Sequence, residues 1–109
     1  MTGPLPLAGL LALLAGAVAA QGGAPLPEAG FRLTNQGIAP IAEVYVASAA
    51  VNRWGEDRLG SGTLAPGASA AIALPAGQCV NDIRVVFAGG RAAERRRVNT
   101  CAEGDLAFR

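Results

Sequence analysis

Cys79-Val80-Asn81-Asp82-Ile83-Arg84-Val85-Val86-Phe87 is the most strand-like stretch of the chain. Period-two alternation puts Cys79, Asn81, Ile83, Val85 and Phe87 on one face, opposite Val80, Asp82, Arg84 and Val86. One of only two cysteines opens the stretch, and the other, Cys101, stands 22 residues on, past Gly89-Gly90. Paired glycines supply the positive φ that a tight hairpin needs. The stretch therefore reads as a central strand that turns at the glycines, returns through Arg91 to Cys101, and is stapled to its neighbour by a disulfide.

The return strand carries register information, because directly opposed residues in a hairpin have a constant index sum. A two-residue Gly89-Gly90 loop would put Cys79 and Cys101 on opposite faces and set Arg84 against Arg95. A three-residue Ala88-Gly89-Gly90 loop puts both cysteines on one face, as a disulfide needs. It also sets Arg84 against Glu94 and Asp82 against Arg96, opposite charges that stabilise a pair. The three-residue loop is expected, with a glycine in the left-handed region. It leaves one conflict: Arg95 and Arg97 turn toward the Ile83 face, and a bulge or an exposed edge has to relieve them.

Outward from this hairpin, the remaining segments read as short strands between turns. Phe31-Arg32-Leu33-Thr34-Asn35 alternates apolar and polar, and Asn35-Gln36-Gly37 is a turn signal. In Ile38 to Ala47, Pro40 marks a strand start or an edge. Strict alternation then groups Ile41, Glu43 and Tyr45 on one face and Ala42, Val44 and Val46 on the inner one. Ala65-Pro66-Gly67 has the Pro and Gly of a type II turn. Ala68 to Leu74 follows as a strand with Ala70, Ile72 and Leu74 on one face; Pro75-Ala76-Gly77 leads into Cys79, and Asp105 to Phe108 closes the chain. No amphipathic helix intervenes. The pattern predicts an all-β fold: a small antiparallel β-sandwich of Ig-like type, with six to seven short strands and one disulfide.

The N-terminus reads differently. Every charged residue lies from Glu28 onward, and Leu5 to Ala20 is a Leu/Ala-rich uncharged run. It is shorter than the roughly 20 residues of a membrane span. Small residues at Ala17, Ala19 and Ala20 offer cleavage after Ala19 or Ala20. Residues 1–20 are thus expected to be a signal peptide, with an uncleaved anchor as the alternative, since no Lys or Arg precedes the run. Residues 21–30 form a Gly/Pro-rich spacer, and residues 31–109 form the domain. No stable membrane span is expected after cleavage, and the protein is placed in the periplasm or outside the cell. Two cysteines in an exported chain most simply pair. Closing this loop contributes about 3 kcal/mol on the chain-entropy estimate.

Composition excludes several function classes. Nine basic residues balance eight acidic ones, so no global field attracts nucleic acid or an anionic membrane. There is no His, which removes His-based general-base, triad and metal chemistry. Two cysteines without His or a CxxC spacing make a poor zinc site. Neither a cofactor nor a metal is expected.

Several segments together resemble a family. They are Phe31, Leu33, Asn35 and Gly37; Ile41 with Val44-Tyr45-Val46; Trp54-Gly55, Asp57 and Leu59-Gly60; Leu64 with Pro66-Gly67; Cys79 with Asp82 to Phe87; and Val98 with Cys101. This pattern is similar to that of short exported β-sandwich proteins of proteobacteria that have no established function. It covers almost the whole of residues 31–109. The Ala-rich sequence after Val46 and the triple Arg at 95–97 depart from it. The resemblance implies a secreted β-sandwich and no catalytic residues.

Residues 48–62 are the least regular stretch. Trp54-Gly55-Glu56-Asp57-Arg58 offers an indole beside carboxylates and a guanidinium, which suits a sugar or a peptidoglycan fragment. Trp54, Asp57 and Arg58 are the candidate ligand-binding residues. The bland alternative has Trp54 plugging an open end of the sandwich while Asp57 caps a turn. Arg95-Arg96-Arg97 reads as a charge-protected sheet edge or, less simply, as a site for phosphate or lipopolysaccharide. Glu56, Asp57 and Asp82 are the only carboxylates proposed for calcium or for a small hydrolase. No base accompanies Ser48, Ser61, Ser69 or Thr63, and some 89 residues can scarcely build the cleft that glycoside hydrolysis needs. The expectation is a non-catalytic binding or interaction module for an envelope protein or glycan. A carboxylate-dependent hydrolase and a purely structural envelope protein are the alternatives.

Overall fold

In the computed structural model, residues 29–109 are described; the expected signal peptide and most of the spacer lie outside them. Six strands form: β1 (Phe31–Asn35), β2 (Ile41–Ser48), β3 (Ser69–Ile72), β4 (Val80–Phe87), β5 (Ala92–Asn99) and β6 (Asp105–Phe108). They make two three-stranded sheets, ordered β3-β1-β6 and β2-β4-β5. No helix occurs among the described residues. The inner faces meet in one core drawn from both sheets, centred on Phe31, Leu33, Ile41, Val44, Ile83, Val85, Phe87 and Leu106. The all-β sandwich is as expected, with one departure: β6 runs parallel to β1. A parallel pair needs a long connection, and here almost the whole domain lies between the two strands. The chain leaves one sheet after β5, turns at residues 100–104, and finishes on the other sheet.

The β4–β5 hairpin has the three-residue loop. Phe87 N–H donates to the Arg91 carbonyl at 2.8 Å, and Gly89 and Gly90 both have φ near +100°. Arg84 opposes Glu94. The register then shifts by one between Ile83 and Asn81. The extra residue is absorbed at Arg96 and Arg97, opposite Asp82. Arg97 has φ 53° and is the only non-glycine residue with positive φ among those described. That conformation costs roughly 1 kcal/mol. The Asp82 carboxylate offsets the cost by accepting the Arg97 N–H at 2.8 Å and an Arg96 guanidinium N–H at 3.1 Å.

Both relief devices therefore operate. The bulge turns Arg97 out and brings Val98 into the core. Arg95 stays at the sheet edge with its guanidinium 5.7 Å from the Phe108 ring centroid. The same shift places Thr100 opposite Cys79, where the unbulged register would place Asn99, and the Thr100 N–H donates to the Cys79 carbonyl at 2.8 Å. The Cys79–Cys101 disulfide forms, with Cα atoms 5.1 Å apart, but it reaches from the turn after β5. It is not a same-face pair across two strands.

β2 departs from strict alternation. Its register against β4 shifts between Ile41 and Glu43. Ile41 is consequently buried with Val44 and Val46, while Ala42 is only half-buried.

Two buried asparagines tie the ends of the sandwich. Asn35 is fully buried. Its amide donates to the Ala39 and Leu64 carbonyls, each at 2.9 Å, and its carbonyl oxygen accepts the Gly37 N–H at 2.8 Å. Gly37 packs closely on Phe87, since a Cβ there would lie 3.0 Å from the ring and the ring would have to give way. Asn81 is likewise fully buried. It donates to the Gln78 carbonyl and to the Thr100 hydroxyl, and the hydroxyl donates to the Ala29 carbonyl at 2.7 Å. This chain of bonds fastens the start of the domain to the disulfide end. Among the described residues no buried side-chain polar atom lacks a partner.

Candidate functional site

The outer face of the β2-β4-β5 sheet carries the chemistry. Alternation along β2 exposes Glu43 and Tyr45, along β4 it exposes Asp82, Arg84 and Val86, and along β5 it exposes Glu94 and Arg96. Register places Tyr45 beside Arg84 and Arg84 beside Glu94. A ladder of opposite charges results. Arg84 meets Glu94 at 2.7 Å, Glu94 meets Arg96 at 2.8 Å, and Arg96 meets Asp82 at 3.1 Å. The Arg84 hydrogen bond, followed by the charge and hydrogen bond of Arg96, holds the Glu94 carboxyl below its usual range. The Tyr45 hydroxyl donates to the Glu43 carboxylate. Chiefly for that reason, the tyrosine's ionisation is pushed up.

The irregular 48–62 segment folds over this face and down one edge of it. Trp54 is half-buried, and the Arg96 guanidinium lies 5.1 Å from its ring centroid, within cation–π range. Asn52, Trp54, Asp82 and Arg96 line a small cavity beside Ala47, and that outward-facing alanine is buried. The indole also borders an open depression of about 310 Å³, lined otherwise by Glu43, Tyr45, Arg84 and Val86. The tryptophan thus sits on the sheet face and does not plug an end of the sandwich.

Two of the three expected ligand residues, Asp57 and Arg58, make their hydrogen bonds to backbone groups. The Asp57 carboxylate accepts the Leu59 N–H at 3.0 Å, as an Asx turn does, and the Val44 N–H at 2.9 Å. The Arg58 N–H donates to the Val44 carbonyl at 2.7 Å, and its guanidinium donates to the Ala73 carbonyl at 2.9 Å. Asp57 and Arg58 therefore hold the loop on the edge of β2. None of the hydrogen bonds, ion pairs or ring contacts among the described residues joins either of them to Trp54. Glu43, Tyr45 and Arg84 take their place around the indole. Alternation marks Glu43 and Tyr45 as outward-facing. Their juxtaposition with Arg84 and Trp54 depends on the β2–β4 register and on the path of the loop, which no local pattern states.

Two of the three carboxylates expected to carry chemistry already have structural partners. Asp82 is committed to the bulge and Asp57 to the loop. No group of three or more acidic or cysteine side chains able to hold a metal ion occurs among the described residues. Arg84 and Arg96 are both already paired, so neither presents a free cation to an anionic ligand. What remains is an aromatic surface flanked by hydrogen-bonding groups whose charges are largely balanced. No helix of the described residues is long and apolar enough to cross a membrane. The disulfide is compatible with an extracellular or periplasmic location. No protein-family model matches the chain, and no significant match was found among curated proteins or solved structures.

Proposed function

We propose that the protein is a non-catalytic binding module, exported to the periplasm or beyond, that takes an uncharged stretch of envelope glycan on the outer face of the β2-β4-β5 sheet. A single observation carries this reading. The only indole of the chain stands half-exposed at the rim of a depression that also holds the only tyrosine, on a face where Arg84 and Arg96 are already ion-paired. Sugar rings stack on aromatic side chains, and their hydroxyls hydrogen-bond to fixed carboxylates and guanidinia without needing net charge. A phosphate-rich ligand would have to displace Glu94 and Asp82 from Arg84 and Arg96. Export rests on the N-terminal leader-like run and on the similarity to short exported proteobacterial proteins. On this reading, native protein begins at Ala20 or Gln21.

Titration of Trp54 fluorescence with neutral envelope glycan fragments tests the proposal. The expected result is a saturable shift, paired with a calorimetric signal that Trp54→Ala abolishes while leaving the fold intact. No shift with any fragment would overturn it. Turnover of the glycan, lost in Asp57→Asn, would favour the hydrolase reading.

A further inference from the structure

Two open sheets have four edges, and an unguarded edge is a template for pairing with another strand. Three of the four carry identifiable guards. Along β2, the Asp57 carboxylate and the Arg58 N–H engage the Val44 backbone, and Leu64 exchanges two bonds with Ile41. Along β5 there are three consecutive arginines and a bulge. At β6, the Arg95 guanidinium donates to the Ala107 carbonyl at 3.4 Å.

β3 is different. Asn35 exchanges hydrogen bonds with Ala68 and Gly67, so alternation directs Ala68, Ala70 and Ile72 at β1 and leaves Ser69, Ala71 and Ala73 pointing away. Arg58 takes the Ala73 carbonyl. Ser69 and Ala71 are exposed, and among the described residues nothing bonds the outward backbone groups of either. No charged residue occurs from Leu59 to Asn81. β3 itself has neither proline nor bulge, and the side chains of Ser69 and Ala71 carry no charge.

We infer that β3 is a self-association edge: two copies of the chain pair antiparallel along it about a two-fold axis. Alternation fixes the register. Ser69 of one copy exchanges both backbone bonds with Ala71 of the other, Ala70 meets Ala70 on the axis, and the Arg58–Ala73 bond stays intact. Ile72 of each copy then lies opposite Ala68 of the other, on the core side. The two β3-β1-β6 sheets become one continuous six-stranded sheet. A second copy fits this edge because neither partner brings charge to it, whereas pairing through β5 would set arginines against arginines. The contact is isologous and closes as a dimer. It lies on the sheet opposite the Trp54 face, so it is independent of the glycan proposal.

Sedimentation velocity of the full chain, purified with its disulfide intact, tests this across micromolar to millimolar concentration. The expected result is a concentration-dependent shift from monomer to dimer. Ala71→Pro removes an outward N–H that β1 does not use, and Ala71→Lys adds a charge of the kind that guards edges. Each variant is expected to stay monomeric with an unchanged melting temperature; should the proline variant misfold, the lysine variant carries the test. In the wild type, amide exchange at Ser69 and Ala71 is expected to slow as concentration rises. A wild type that remains monomeric throughout, a dimer that survives both substitutions, or growth into species larger than a dimer would each overturn the inference.

Discussion

Two polar networks in this small sandwich differ chiefly in burial. The Asn35 and Asn81 clusters lie inside, with both side chains fully buried and every bond satisfied. The Arg84–Glu94–Arg96–Asp82 ladder lies outside, with Arg96 exposed. Away from water, an unmade hydrogen bond leaves a backbone group with nothing in its place. On the surface, water and salt substitute for the lost partner. The buried knots therefore hold the fold together. The exposed part of the ladder arranges a surface and contributes little to stability.

Substitution inside a knot is expected to have the largest effect. Asn35→Ala strands the Ala39 and Leu64 carbonyls and the Gly37 N–H, and a loss of about 3 kcal/mol is expected in urea denaturation. A loss within experimental error would erase the distinction between the two networks. Asp82 sits between them, since it belongs to the ladder yet accepts the Arg97 N–H at the bulge. Asp82→Ala is expected to cost about 2 kcal/mol, because a strained turn loses its charged acceptor. Asp82→Asn should recover part of it, and equal losses for the two variants would show that the bulge does not depend on that acceptor.

Effects confined to the ladder are smaller and are read best through pH. Glu94 has its carboxyl held below the usual range in the folded state, first by Arg84. Its contribution is therefore complete above the usual carboxylate value and is lost as pH falls through the lowered one. Glu94→Gln is expected to flatten that acid limb slightly and to leave neutral stability unchanged in high salt. An unchanged acid limb would place the dependence elsewhere. The smallest effect on stability concerns Tyr45, the chain's only tyrosine. Its hydrogen bond to Glu43 raises its ionisation, so tyrosinate absorbance is expected to appear at higher pH than for a free tyrosine. Glu43→Gln should move it back. The stabilisation is present below the ordinary tyrosine value and disappears as pH rises through the elevated one. A normal titration in the wild type would remove Glu43 and Tyr45 as a coupled pair.

Much of this fold is legible in the sequence, and the illegible parts share a cause. The hairpin register could be read because opposite charges at Arg84 and Glu94, and at Asp82 and Arg96, pick one loop length from two. The bulge could be anticipated from the wrong-facing Arg95 and Arg97. That one arginine would turn out while the other covers Phe108 depends on β6, a strand from the opposite sheet. Strict alternation puts Ile41 on the wrong face, because it carries no mark of the irregularity between Ile41 and Glu43. The β1–β6 pairing joins the two ends of the domain, and nothing local signals its parallel direction.

The site shows the same divide. Trp54 stood out as a candidate because indoles are scarce here, but Asp57 and Arg58 were grouped with it only by sequence proximity. In the structure the backbone groups of Val44, Leu59 and Ala73 hold their side chains. Glu43 and Arg84 become partners of the indole only through strand pairing.

A nitrogen–proton correlation map recorded during addition of a neutral envelope glycan fragment tests the binding face most directly. Saturable shifts are expected at the Trp54 indole N–H and at the backbone amides of Tyr45, Arg84 and Val86, with Ser69 to Ile72 unmoved. A map that does not change, or one whose changes fall on the β3-β1-β6 sheet instead, would contradict the assignment of the Trp54 face as the place where this protein meets its ligand.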